Sequence, residues 1–214
     1  MQIPDRPIDE EFRTMALDGL SILDTGPDPE FDRIVALGKQ LFQVPMCLVS
    51  LIDRDRQWFK AKIGLEANET PRDLSFCGHA ILTSDVLVVL DATRDVRFHD
   101  NPVVTGPPHV RFYAGAPITL PNGYAIGTVC IIAPEARLEF SEAESQQLVH
   151  LADLVVNILS VRALRQELDL ERTRRLQLIQ AIGVADQPIA LLDPDGRILE
   201  MNEAFIAMGE DYVS

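Results

Sequence analysis

Basic residues are scarce in this 214-residue chain: 19 lysines and arginines stand against 33 aspartates and glutamates, a formal net charge of −14. A surface that acidic repels phosphate backbones and anionic lipid, so neither nucleic acid nor a membrane surface is expected as a partner. Cysteine is almost missing. Cys47, Cys77 and Cys130 are an odd number with no close pair and no C-x-x-C, and no H-x-x-x-H occurs. Neither a disulfide framework nor a structural metal site is therefore expected. Isolated thiols fit a reducing compartment, and the chain is read as cytoplasmic. No apolar run reaches the ~18 residues needed to cross a bilayer. The opening MQIPDRPIDEEF lacks the basic-then-apolar layout of a signal peptide. What is present, 47% hydrophobic and 24% charged residues, describes a soluble globular protein of one or two domains.

The pattern along the chain begins with two helices. EEFRTMALDGLSIL places Phe12, Met15, Leu20 and Leu23 at loosely helical spacing. Asp28 before Pro29 is a good N-cap followed by the residue that loses nothing at the first helical position. Phe31, Ile34, Val35, Leu37, Leu41 and Phe42 continue that second helix. The period then changes. MCLVSLI (46–52) and RQWFKAKIG (56–64) flank the turn DRD and predict a hairpin. Residues 65–75 read as loop, FCGHAILTS as a short helix capped by Ser75, and VLVVLD (86–91) as a third strand. Residues 92–110 carry three prolines and little periodicity; a loop that long is usually functional or mobile. FYAGAPITL (112–120) and YAIGTVCII (124–132) form a second hairpin around Asn122-Gly123. Both strands are apolar or small on both faces, so the sheet should be covered on both sides.

Ser141 and Glu144 form a capping box that opens about 40 residues without Pro or Gly, roughly 60 Å of helix. Leu151, Leu154, Val155, Ile158, Val161, Leu164 and Leu168 make an apolar stripe. The first half is expected to pack on the domain and the second to pair with a twin as an imperfect coiled coil. A solvated helix held by Glu and Arg pairs is the alternative. IALLD and RILEM then flank DPDG, a strong hairpin signal, with Asn202 placed to cap a following helix.

SILDTGPDPEFDRIVALGKQLFQVP, VSLIDRDRQWFKAKIGL, RDLSFCGHAI, RFHDNPVVTGPPHVRFYAGAPI and GTVCII, in that order, resemble the GAF domains of bacterial signalling proteins. The resemblance implies an α+β fold: a central antiparallel sheet of about six strands, terminal helices on one face, and a small-molecule pocket under loops or short helices on the other. IALLDPDGRILEMNEAF is similar to the start of a PAS domain. The implied organisation is a GAF sensory domain over 1–160, a helical signalling linker over 161–183 and the start of a PAS domain over 184–214. Such arrangements feed sensor histidine kinases and diguanylate cyclases. No phospho-acceptor histidine box or GGDEF-like run is visible, so these residues are not themselves expected to be an enzyme, though the parent protein could carry such a domain.

Cys77 and His79, two residues apart in RDLSFCGHAI, invite a chemical reading. On a helix they lie ~200° apart and cannot act as nucleophile and base; on extended chain they share a face. A helix N-terminus would lower the thiol pKa. The structural reading makes Cys77 a small buried hydrophobe and His79 a packed side chain. One axial histidine suffices for haem, which keeps His79, His99 and His109 chemically capable, but neither haem nor bilin is expected. Bilin attachment in phytochromes wants a cysteine beside a histidine, which Cys77-Gly78-His79 does not supply. The GAF-type free methionine-(R)-sulfoxide reductases share a step like Cys77-Gly78, but NPVVTGPPHVRFY lacks their catalytic cysteine. A non-covalent small ligand remains. Trp58, Phe76, Phe112 and Tyr113 could form its walls, and Arg72, His79, Asp91, Asp100 and Arg111 its polar contacts, with Arg72 or Arg111 gripping an anion. Sheet packing for Trp58 and loop-fixing ion pairs for the charged residues are the competing structural roles. The expected function is a sensory module. Ligand, or a redox event at Cys77, would bias the loops, and a homodimeric helix would pass the change to an output domain of the same chain. A thiol-dependent reductase and a ligand-free dimerisation module are the alternatives.

Overall fold

The computed structural model describes residues 1–185 and 187–210. The chain divides into two compact units, Met1–Val161 and Arg162–Ser214. In the first, α1 (Glu10–Gly19) is turned away from the orientation its apolar spacing predicts. Phe12 and Met15 are 60% and 59% exposed, and the inward face carries Arg13, Thr14 and Leu17. An arginine can go inside because three of its nitrogens find acceptors. Arg13 Nε and Nη2 each donate to the Glu10 carboxylate at 2.8 Å, and Nη1 donates to Ile52 O at 2.7 Å. α2 (Pro29–Phe42) starts as the sequence predicts, with Asp28 accepting from Glu30 N at 3.0 Å and Pro29 in the first turn. Gly38 sets how close this helix comes to the sheet, since a Cβ there would sit 2.7 Å from Cys47 Sγ.

The sheet has six antiparallel strands in the order β3-β2-β1-β6-β5-β4. They are β1 (Met46–Ile52), β2 (Arg56–Ile63), β3 (Glu69–Pro71), β4 (Leu87–Val89), β5 (Phe112–Thr119) and β6 (Ala125–Ala133). The two expected hairpins are β1–β2 and β5–β6, the latter turning at Gly123 with φ +89°. Every residue of β1 is buried, as befits a strand covered on both sides. β3 corrects the reading of residues 65–75 as loop alone. It is three residues long, pairs Arg56 with Pro71 and Trp58 with Glu69, and ends on a proline that only an edge tolerates. Three residues are too few to show alternation.

α5 (Glu142–Gly183) opens with the expected capping box: Ser141 Oγ accepts from Glu144 N at 3.2 Å and Glu144 Oε2 accepts from Ser141 N at 2.8 Å. Its packed face differs from the predicted stripe. Leu148, Leu151, Ala152, Val155 and Leu159 are buried, whereas Leu154, Val161, Leu164 and Leu168 are exposed and Ile158 is half-buried. The stripe thus mixes residues that meet the sheet with residues that do not. Residues Glu142–Ala181 are also long and apolar enough to cross a membrane by length and composition, which a count of unbroken apolar runs does not register. A helix packed on a core passes the same test. In the second unit β7 (Ala190–Leu192) and β8 (Ile198–Met201) form the expected hairpin. Asn202 Oδ1 accepts from Phe205 N at 3.0 Å and so caps α6 (Glu203–Glu210) as predicted. Residues 186 and 211–214 of the expected PAS segment lie outside the described residues.

Candidate functional site

Alternation along the strands sends one set of side chains to the helices and the other to the loops. On the loop side the chain forms a half-open chamber of about 220 Å³. Its floor is Leu48 from β1, Gln57 and Phe59 from β2, Tyr113 from β5 and Ile132 from β6. Leu65, Ala67 and Thr70 close one side, and Leu74 to Cys77 another. Val103, Pro107, Pro108 and Val110 complete the roof. The 92–110 connection, expected to be functional or mobile, is pinned. Asn101 caps the single turn α4 (Pro102–Thr105) and donates from Nδ2 to Leu74 O at 3.0 Å. Phe98 stacks on Phe76 with ring centres 3.9 Å apart. Among the described residues, no lysine, arginine, histidine, aspartate or glutamate lines the chamber. Its polar groups are Gln57, Thr70 and Ser75, and Gln57 Oε1 is buried without a hydrogen-bond partner.

Of the ten candidate ligand residues, Phe76, Cys77 and Tyr113 line the chamber and the others do not. Trp58 belongs instead to an open groove of about 500 Å³ at the sheet edge, beside Asp24 and Lys60. Phe112 points to the helix side, 4.5 Å beneath the Arg137 guanidinium. The anion grip expected of Arg72 or Arg111 is corrected by their surroundings. Arg72 is buried against Glu10 and donates to Asp53 O at 3.1 Å, and Arg111 donates to Val104 O at 2.9 Å and Val110 O at 3.1 Å. Asp91 accepts from Thr93 N and Oγ1 at 3.0 and 2.6 Å. Asp100 pairs with the Met1 ammonium. All four fasten loops. His79 sits on α3 (Phe76–Ala80), its Nε2 3.0 Å from Gln2 O and its ring edge-on to Phe98 at 4.9 Å. Burial lowers its pKa, and the ring's contacts are with Gln2 O and Phe98 rather than with the Cys77 thiol.

The thiol of Cys77 has other company. Its Sγ lies 3.6 Å from Cys130 Sγ, and the Tyr113 hydroxyl donates to it at 3.3 Å. Ser50 and Thr128, register partners on β1 and β6, are fully buried beside it and their hydroxyls make no well-formed hydrogen bond. Burial opposes ionisation of Cys77, but Cys130, Thr128, Tyr113 and Ser50 together outweigh it and lower the thiol below its ordinary value. Cys130 is pushed the other way, well above the usual thiol range, by its bond to Cys77 and then by burial.

A GAF domain model matches residues 27–159. The chain belongs to the GAF domain family. A cyclic di-GMP phosphodiesterase of Pseudomonas aeruginosa is 45% identical over 156 residues, which are 73% of this chain and 27% of that protein. The chain therefore spans about a quarter of the length of that curated relative. The expectation of no enzyme for these residues, with any enzymatic domain left to the parent protein, is corrected by that relative's being named an enzyme, over a shared stretch that is 27% of its length. Among solved structures, the GAF domain of an Acinetobacter phosphoenolpyruvate-protein phosphotransferase superposes with a TM-score of 0.53 at 19% identity, covering 68% of this chain and 93% of that one. The free methionine-R-sulfoxide reductase of Neisseria meningitidis gives 0.52 at 18% identity, covering 78% and 99%. At those identities the likeness is one of fold. The GAF chamber thus lies where the resemblance implied a pocket, but sequence reasoning missed Gln57 and the Ser50–Thr128 pair. For Ser50 and Thr128, a polar residue inside an otherwise apolar strand was the available signal; β2 also carries Arg56, Lys60 and Lys62, so Gln57 gave none.

Proposed function

We propose that this GAF domain is the regulatory input of an enzyme of cyclic di-GMP turnover, a phosphodiesterase like its Pseudomonas relative, and that its chamber takes a small uncharged ligand. The chamber itself carries the reading. About 220 Å³ holds roughly ten non-hydrogen atoms, allowing about 20 Å³ for each, with apolar walls and one buried acceptor, Gln57 Oε1, awaiting a donor. A cyclic dinucleotide, with two phosphates and two purines, is too large and too anionic for it. A ligand acts only through a difference in affinity between two states. Here the chamber wall includes the start of α3 and the 92–110 connection, and sheet strands that form its floor carry α2 and α5 on their other side.

In this proposal α5 pairs with a second copy through Leu154, Ile158, Val161, Leu164 and Leu168, whose side chains are exposed or half-buried in the single chain. The segment from residue 184 onward, with its hairpin and capped helix, opens a PAS domain on the way to the output. Three buried free thiols suit a cytoplasmic location. Native mass spectrometry of the chain purified from its own host tests the first part. The expected result is a neutral small-molecule adduct that Val103→Phe abolishes; a cyclic dinucleotide retained in the chamber would overturn it. Sedimentation tests the second part. A dimer should become a monomer on Ile158→Asp with Leu164→Asp, and a monomeric parent chain at micromolar concentration removes the relay.

A further inference from the structure

We propose that Cys77 and Cys130 form a peroxide-responsive dithiol, with Cys77 attacked first through the chamber and Cys130 resolving it to a disulfide. This modification site does not rest on the ligand proposed above. Four observations carry it. The two sulfurs are 3.6 Å apart although 53 residues separate them in sequence, and closing to the ~2.05 Å of a disulfide brings them only about 1.5 Å nearer. Cys77 lines the chamber and Cys130 does not, so a small hydroperoxide meets one thiol before the other. The Ser50 and Thr128 hydroxyls, buried without well-formed bonds, and the donating Tyr113 hydroxyl gather round the Cys77 sulfur, where they stabilise a thiolate. Finally, the third thiol is a built-in contrast: Cys47 lies on the helix side and burial pushes it up to about 12.

The chemistry balances with a hydroperoxide as oxidant. The Cys77 thiolate attacks one peroxide oxygen, the O–O bond breaks, and the departing oxygen takes up the proton that Cys77 released and leaves as water. Cys77 is then a sulfenic acid. Cys130 gives up its proton and attacks the Cys77 sulfur, an S–S bond forms, the S–O bond breaks, and the hydroxide leaves with that proton as a second water. Two thiols lose two electrons and two hydrogens; hydrogen peroxide gains them. Closure draws the N-terminal turn of α3 toward β6 and so reshapes the chamber wall.

The test treats the full chain with hydrogen peroxide, alkylates the remaining thiols and maps the digest without reductant. The expected result is one alkylated cysteine, Cys47, and a cross-link between the Cys77 and Cys130 peptides that a thiol reductant reverses. Loss of Cys77 should outpace loss of Cys47 by at least about tenfold. Cys47→Ser should behave like the parent. Cys130→Ser should stop at a sulfenic acid on Cys77 that dimedone traps. All three thiols surviving, Cys77 oxidised in the parent chain without a cross-link, or a cross-link to Cys47 would each overturn the proposal. The parent measurement decides the matter even if a variant fails to fold.

Discussion

The two faces of the sheet are built from the same strands yet differ in how they are filled. On one face α2 lies close against β1, near enough that Gly38, set between Cys47 and Leu151 of α5, leaves no room for a Cβ. On the other, loops and single helical turns bridge the strands and leave a half-open space of about 220 Å³ that no side chain occupies. Gln57 Oε1, Ser50 Oγ and Thr128 Oγ1, all without well-formed hydrogen bonds, belong to the loop side. Helices present ridges that fit a sheet to crystal-like density, whereas loops must satisfy their own backbone first and leave room behind. Tight packing gives this protein stability on one side; incomplete packing gives it a place for chemistry on the other.

The largest effect should come from trimming each face in turn. Leu51→Ala, on the helix side and 1% exposed, should cost about 3 kcal/mol in chemical denaturation, and Leu65→Ala, at the chamber, about 1 kcal/mol or less. Equal losses would erase the contrast. Next comes the strap joining the two sides, Glu10 with Arg13 and Arg72. Burial raises the Glu10 carboxyl, but hydrogen bonds from the two arginines outweigh it and hold it at about 2 instead of 4.5. A folded value below the unfolded one means stability present above pH 4.5 and lost as pH falls toward 2. After allowing for screening on its solvent side, the loss should be about 2 kcal/mol, read as the difference between the parent chain and Glu10→Gln across that window.

Smaller effects sharpen the comparison. Gln57→Leu removes an unpartnered acceptor and should leave stability unchanged or raise it by about 1 kcal/mol in the same denaturation assay, while weakening retention of a chamber ligand in native mass spectrometry. A marked loss of stability would mean that Gln57 is an ordinary core residue. The smallest shift should follow Asp91→Ala and Asp100→Ala, which lie outside the chamber. Stability should move by less than about 0.5 kcal/mol, with ligand retention unaltered.

Much of the frame was legible because it is written locally. The Asp28 cap, the Ser141–Glu144 box and the Asn122-Gly123 turn each sit within a few residues of what they control. The burial of Arg13 was not legible, since it depends on Ile52 O, 39 residues away. Helical spacing alone favoured Phe12 and Met15, which the fold leaves outside. At the site, Phe76, Cys77 and Tyr113 line the chamber, and the charged candidates lie outside it. A loop arginine that binds a ligand and one that ties down neighbouring carbonyls have the same one-letter code. Cys130 looked inert beside Cys77 in sequence; only the pairing of β1 with β6 and the placement of α3 bring the two sulfurs together.

A mouth that opens to solvent also has a kinetic meaning. A guest of a few atoms can enter and leave without the fold parting, so its exchange should be set by diffusion and local side-chain motion. A guest too wide for that mouth would have to wait for the roof to move.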